Sequence, residues 1–306
     1  SELLRISPPV ASALDAGRPV VALETSVLAQ GLMPPHNAEA ADAIERAIRE
    51  LGSEPAWTWV GDGAVRIGAA RDELPALMAP GHATKVSRRD GPLAVAGGAL
   101  GATTVSAAVW AAHRAGIPIG ATGGTGGVHP GENDVSADLL ELARTAVTLV
   151  CSGPKTILDP VATAERLEEL GIAVVGYRCD RLPFFVVREA PVDLEHRLDT
   201  ARAVADAARA RDALEIRSAL LLCNPVPERH ALAAEEMRDA VERCRAQAQS
   251  AGITGKALTP YLLTCLAERT DGASVEANLA LLESNARVAA EIAVELSGAA
   301  QATGAR

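Results

Sequence analysis

Short apolar runs alternate with amphipathic segments along most of the chain, and this alternation constrains the fold more than any other feature. Residues 19–28, 56–60, 117–122, 147–151, 172–177 and 218–223 read as strands. Between them, 37–51, 72–78, 103–115, 136–144, 161–170 and 200–211 carry the three- and four-residue apolar spacing of helices. Strand–helix alternation of this kind predicts a mainly parallel sheet covered by helices, an α/β/α sandwich. Beyond residue 231 the pattern is helical at 231–251, 258–270 and 275–296, which gives a helical C-terminal third and a small polar tail expected to fray. With no repeat, linker or charge block to mark a boundary, one domain over residues 1–306 is expected.

Composition narrows the function. The formal net charge is −10 and aromatic residues make up only 2%, which argues against a nucleic-acid-binding protein, since that needs basic stripes and stacking platforms. No apolar run reaches the ~20 residues of a membrane span, and the first residues lack a signal-peptide core, so a soluble cytoplasmic protein is expected. Cys151, Cys179, Cys223, Cys244 and Cys265 are odd in number and widely spaced, so no disulfide framework is expected and buried free thiols are.

Only Lys85, Lys155 and Lys256 are lysines among 29 basic residues. A coding bias toward arginine explains the ratio, but it makes each surviving lysine a candidate for work a guanidinium cannot do. An amine can lose its proton and attack a carbonyl; a guanidinium stays charged.

Parallel sheets bind ligands beyond the carboxyl ends of their strands, so the polar residues there carry the search. Glu24 interrupts an apolar run and suits a general acid or base with its pKa raised by burial; an edge-strand Glu facing water is the alternative. Lys85, Arg88 and Arg89, followed by a Gly-rich approach to Thr103 and Thr104 at a helix start, form a kit for phosphate. The segment 121–138 has five glycines within eleven residues, a backbone shaped for close ligand approach, followed by Glu132, Asp134 and Asp138. Those carboxylates suit a hard divalent ion, and Asp138 alone also suits a helix dipole. Lys155 follows a strand in a Ser-Gly-Pro turn, placed as a Schiff-base nucleophile or as an ordinary surface lysine. Asn224, Asn278 and Asn285 offer amide contacts or are plain polar helix faces.

Together V-V-A-L-E (20–24), T-K-V-S-R-R-D (84–90), G-A-T-T-V (101–105), A-T-G-G (121–124), G-G-V-H (126–129), D-V-S-A-D-L (134–139), K-T-I-L-D (155–159), N-P-V-P-E (224–228) and G-K-A-L-T-P-Y-L-L (255–263) resemble the pseudouridine-5′-phosphate glycosidases over nearly the whole chain. The resemblance implies a trimeric enzyme with a divalent metal, typically manganese, that makes or breaks a carbon–carbon bond between C1 of ribose 5-phosphate and uracil. Lys155 is then the imine-forming nucleophile and Glu24 the proton donor and acceptor. By the same resemblance Lys85, Thr104, Val105, Ser136, Asp138 and Asn285 contact substrate, and Asp134 holds the metal.

The departures fall beside this machinery. Gln30 replaces a usual histidine and Pro130 an arginine; an acidic-aromatic segment shrinks to Glu132-Asn133; a usual Asn pair reads Ser284-Asn285. A site built to hydrogen-bond uracil tolerates such changes poorly. The favoured expectation is therefore a specialised C-glycosynthase using ribose 5-phosphate and an aromatic polyketide acceptor such as prealnumycin, in antibiotic biosynthesis. An ordinary glycosidase yielding uracil is the alternative. A Schiff-base sugar-phosphate aldolase or isomerase and a non-catalytic phosphosugar sensor stand behind both.

Overall fold

A computed structural model describes residues 2–131 and 134–303. Its strands are β1 (Leu4–Ile6), β2 (Val20–Glu24), β3 (Glu54–Gly61), β4 (Ala64–Ile67), β5 (Thr84–Val86), β6 (Gly101–Thr103), β7 (Ile119–Ala121), β8 (Thr148–Cys151), β9 (Ala173–Tyr177), β10 (His196–Leu198) and β11 (Leu220–Cys223). They form one sheet in the order β1-β4-β3-β2-β7-β8-β11-β9-β10, with β6 also on β3 and β5 on β6. Every pair is parallel except β3–β4 and β3–β6. The expected α/β/α sandwich is what forms. β2, β8 and β11 are buried at every position, as continuous apolar strands covered on both faces must be.

The helices are α1 (Pro8–Asp15), α2 (His36–Glu50), α3 (Leu74–Met78), α4 (Gly91–Ala96), α5 (Val105–Arg114), α6 (Ala137–Leu142), α7 (Pro160–Glu169), α8 (Ala201–Ala213), α9 (Ala234–Ser250), α10 (Leu258–Arg269) and α11 (Ala273–Thr303). One face of the sheet is covered by α2, α8 and α11 through Ile44, Ile48, Val204, Leu281 and Ile292; the other carries α5, α6 and α7 through Val109, Leu142 and Leu167. α11 has an alanine-rich sequence, and it continues past residue 297, where fraying is expected from the small residues alone.

Two other expectations need correction. The first strand stops at Glu24 instead of reaching residue 28, because the Glu24 carboxylate accepts from Ser26 Oγ and Val27 N and bends the chain into a single π-type turn over Val27–Gly31. The cysteines are not all free thiols: Cys244 on α9 and Cys265 on α10 are disulfide-bonded, while Cys151, Cys179 and Cys223 are free. The two helices lie against each other and bring Cα atoms 21 residues apart to 5.9 Å, a proximity that spacing along the sequence does not reveal. Among the described residues no helix is long and apolar enough to cross a membrane.

Candidate active site

β2, β7 and β8 are adjacent and parallel, so their carboxyl ends open on one side of the sheet. There they deliver Glu24, Gly126 and Gly127 of the glycine loop, and Lys155 to the wall of a cavity of about 800 Å³. That volume lies within the ~300–1,000 Å³ of small-molecule sites. Glu24, Lys85, Thr104, Val105, Asp134, Ser136, Asp138 and Lys155 all line it, residues drawn from five separate stretches of chain.

Glu24 is buried, and β2 is an interior strand, so the solvent-facing alternative falls. Its Oε1 accepts from Thr122 Oγ1 at 3.1 Å, and Oε2 accepts from Ser26 Oγ and from Val27 N at 3.1 Å. Burial raises the carboxyl above its ordinary value of 4.5 and Asp138 adds to the rise; Lys155 and the Ser26 and Thr122 hydroxyls oppose it. Next to it, Thr25 donates to Thr58 O at 2.8 Å and Thr103 Oγ1 donates to the same oxygen at 2.6 Å, which ties the end of β2 to β3 and β6. Lys155 Nζ donates to Gly124 O at 2.6 Å, so the amine is aimed back across the glycine loop rather than snorkelling outward. The glycine-free turn around it is impossible: Gly153 has φ +75°, and a Cβ there would collide with Pro183 O.

The basic segment divides. Lys85 on β5 faces the cavity, whereas Arg88 Nη1 donates to both oxygens of the buried Glu141 at 2.9 and 2.8 Å. Arg89 is mostly exposed, 3.8 Å from Asp90. Of the expected phosphate kit, Lys85 and the α5 start at Thr104 and Val105 therefore carry the reading. The Thr104 and Ser106 hydroxyls are hydrogen-bonded to each other at 3.0 Å.

Asp138 is more structural than expected. Its Oδ1 accepts from Ser106 N and its Oδ2 from Gly126 N, each at 3.0 Å, so it pins the starts of α5 and α6 to the glycine loop. Ser136 caps α6 by accepting from Asp138 N at 3.2 Å. The loop glycines make room for the protein's own groups. A Cβ at Gly126 would strike Ser136 and Asp138, and one at Gly127 would strike Thr163.

Asn285 is the site residue the fold moves elsewhere. It is wholly buried and does not line the cavity; Nδ2 donates to Thr122 O at 2.9 Å and Ser152 Oγ at 3.1 Å, while Oδ1 accepts from Asn224 Nδ2 at 2.9 Å. It is a strut joining the ends of β7, β8 and β11. About two helical turns earlier, Asn278 faces a smaller recess that shares Glu24, Ser26, Lys85, Lys155 and Thr259 with the main cavity. Its buried Oδ1 has no hydrogen-bond partner. Asn278 was among the amides read as possible contacts, whereas Thr122 and Ser26 were not singled out by residue type, since an isolated hydroxyl carries no signal until a neighbour is known.

For a metal, Asp134 sits half-exposed at the cavity rim, with His129 Nε2 4.0 Å away. Glu132, read as part of the same carboxylate cluster, lies outside the described residues, as does Asn133. Among the described residues no group of three or more His, Cys, Asp or Glu side chains converges. This donor set fits a hard cation held by one carboxylate and its own waters, not an all-protein cage.

With this geometry in place, relatives can be compared. The model of the family described as indigoidine synthase A like protein matches residues 9–295. A pseudouridine-5′-phosphate glycosidase of Methylobacterium nodulans is 47% identical over 300 residues, 97% of this chain and 89% of the relative. That of Escherichia coli K12 is 43% identical over 298 residues, 96% of each. Among solved structures, the prealnumycin C-glycosynthase AlnA in complex with ribulose 5-phosphate superposes with a TM-score of 0.90 at 40% identity, covering 99% of both chains. An indigoidine synthase A (IdgA)-like protein from Thermotoga maritima gives 0.87 at 39% identity, covering 92% of this chain and 94% of that one. The chain belongs to the indigoidine synthase A like family and is an enzyme of the pseudouridine-5′-phosphate glycosidase type.

Proposed function

We propose that this enzyme reversibly joins C1 of ribose 5-phosphate to a carbon acceptor through an imine on Lys155. The observation that carries the reading is the pairing, on one cavity wall, of an amine with a buried carboxyl whose proton is held more tightly than usual. A C-glycoside has no leaving-group oxygen to protonate, so the two-carboxylate route of ordinary glycosidases does not serve. In the joining direction the neutral Lys155 amine attacks C1 of the open-chain aldehyde and water leaves, giving an iminium. The acceptor carbon forms its bond to C1 while the iminium electrons pass to nitrogen, and Glu24 takes the proton displaced from that carbon. Glu24 passes that proton to the lysine nitrogen, the acceptor ring's electrons expel the neutral amine, and a sugar hydroxyl closes onto C1 and returns its proton to Glu24. Lys85 and the α5 start hold the phosphate, and that remote binding positions C1.

Uracil is the acceptor this reading takes. Glycosidases at 43–47% identity support it, and the 40% identity to AlnA is matched by the 39% to the Thermotoga protein, so overall likeness does not single out a polyketide branch. The C-glycosynthase reading with an aromatic polyketide acceptor keeps one specific observation in its favour, the change to Gln30 beside Glu24 and Lys155. Asp134, with waters, would hold a manganese-like cation, which would supply positive charge at the cavity rim. A homotrimer and a cytoplasmic setting complete the proposal.

The test has two separate arms: borohydride reduction in the presence of ribose 5-phosphate, and, on untreated enzyme, incubation of ribose 5-phosphate with uracil or a naphthoquinone-like phenol. A stable adduct on Lys155 and formation of pseudouridine 5′-phosphate support the reading. An adduct with only the phenol consumed transfers it to the synthase. Absence of any adduct overturns the imine.

A further inference from the structure

The recess behind the two reacting groups is lined by Val27, Gln30, Phe185, Leu263 and Asn278, and it is narrow, about 40 Å³ against about 800 Å³ for the main cavity. A single flat ring suits such a slot; a fused polycycle would have to lie in the wide cavity instead. Gln30 reaches it from the π-type turn that follows Glu24, so its backbone is fixed by the same bend that orients the carboxylate. Its amide is not free to turn over without loss, because Nε2 donates to Ala83 O at 3.0 Å. That bond assigns the other end: Oε1 is the carbonyl, it is closed off from solvent, and it takes no hydrogen bond.

A buried carbonyl oxygen without a donor costs about 1–3 kcal/mol, a cost an occupant of the recess can remove. The occupant must bring an N–H or O–H, because Oε1 can only accept. Asn278 Oδ1 is a second unpaired oxygen among the recess residues; with no bond orienting that amide among the described residues, Asn278 can meet an occupant as acceptor or as donor. A pyrimidinedione carries two ring N–H groups and an apolar face for Phe185 and Leu263. Its nucleophilic carbon would then point out toward Lys155.

We propose that Gln30 is a specificity-determining residue: its Oε1 accepts a ring N–H of a pyrimidinedione acceptor seated in this recess. This rests on the imine reading above and names how the acceptor is chosen. It also gives the replacement at position 30 a role in recognition within the glycosidase reading.

The experiment compares uracil, 1-methyluracil and 3-methyluracil as acceptors with ribose 5-phosphate, in the wild type and in Gln30→Met. In the wild type both methyluracils are used less well than uracil, and the one methylated at the N–H that meets Gln30 is rejected by roughly tenfold to a hundredfold in kcat/KM, the equivalent of the unpaired-group cost. In Gln30→Met that particular discrimination shrinks to a few-fold, while rejection of the other methyl isomer is kept. Gln30→Lys, whose ammonium can still donate to Ala83 O but offers no acceptor, repeats the comparison where the Met variant does not fold. Unchanged discrimination in the folded variant overturns the assignment, and so does equal use of all three acceptors by the wild type. Should uracil not react while borohydride still traps the sugar on Lys155, the pyrimidine assignment fails and the imine reading stands. Should trapping fail as well, both fall.

Discussion

Asp138 and Gly126 meet with no space between them: Oδ2 of the aspartate accepts the glycine N–H at 3.0 Å, and a Cβ on residue 126 would collide with Ser136 Oγ. The same carboxylate accepts from Ser106 N, so one side chain fixes the starts of α5 and α6 and the loop that carries Gly124 O to Lys155. Gly126→Ala is therefore expected to cost about 1–3 kcal/mol of stability, as overpacking does. It should reduce turnover beyond what the lost stability explains. Urea denaturation alongside kcat/KM checks both, and a variant with wild-type stability would show the contact to be slack.

Lys155→Ala and Lys155→Arg are each expected to lower turnover by roughly a thousandfold or more, since neither side chain forms an imine. Borohydride with ribose 5-phosphate should leave both unmodified while labelling the wild type. Intact-mass measurement reads this directly.

Glu24 links stability to pH. Its carboxyl is raised in the folded state by burial, so the folded protein holds that proton at a pH where the unfolded chain has released it. The group's contribution therefore becomes less favourable as pH rises from the ordinary value of 4.5 through the raised one. Glu24→Gln removes the penalty, and the melting temperature of the variant relative to the wild type is expected to climb as pH rises above the ordinary carboxyl value of 4.5. Its kcat should fall by about a hundredfold to ten-thousandfold as the proton carrier is lost. A flat difference in melting temperature would show the carboxyl to be ionised as easily in the folded state as in the unfolded one.

Arg88 lies at the cavity but its guanidinium is committed to Glu141, which is buried. Arg88→Ala leaves that carboxylate unpaired and is expected to cost about 3 kcal/mol. Arg88→Met combined with Glu141→Gln should recover most of it. A denaturation series on the single and double variants distinguishes this pairing from a phosphate-binding role, which would depress affinity for ribose 5-phosphate in both.

Of the five cysteines, three should react with a thiol reagent in denaturant before reduction and five after it, because Cys244 and Cys265 are bonded. With the partners 21 positions apart in the chain, replacing the pair by serine is expected to cost about 3 kcal/mol. Five reactive thiols before reduction would place the two sulfurs unbonded.

Strand–helix alternation, with one carboxylate and one scarce amine placed where apolar runs end, was enough to read the sandwich and to single out Glu24 and Lys155. Both signals are local: periodicity reports which face of an element is buried, and a charged group in an apolar run stands out against its immediate neighbours. The short strands β1, β4, β5, β6 and β10, of three or four residues each, escaped because so few positions establish no period. Partners in space were the province of the tertiary structure. Two asparagines seven residues apart on α11 are indistinguishable as letters, yet packing sends Asn285 into the strand ends as a strut and leaves Asn278 with an unpaired oxygen at the recess. Likewise Arg88 is taken up by Glu141 and Cys244 by Cys265, over 53 and 21 positions of chain. A hydrogen bond or a disulfide is decided by distance and direction, and only the closed fold supplies those.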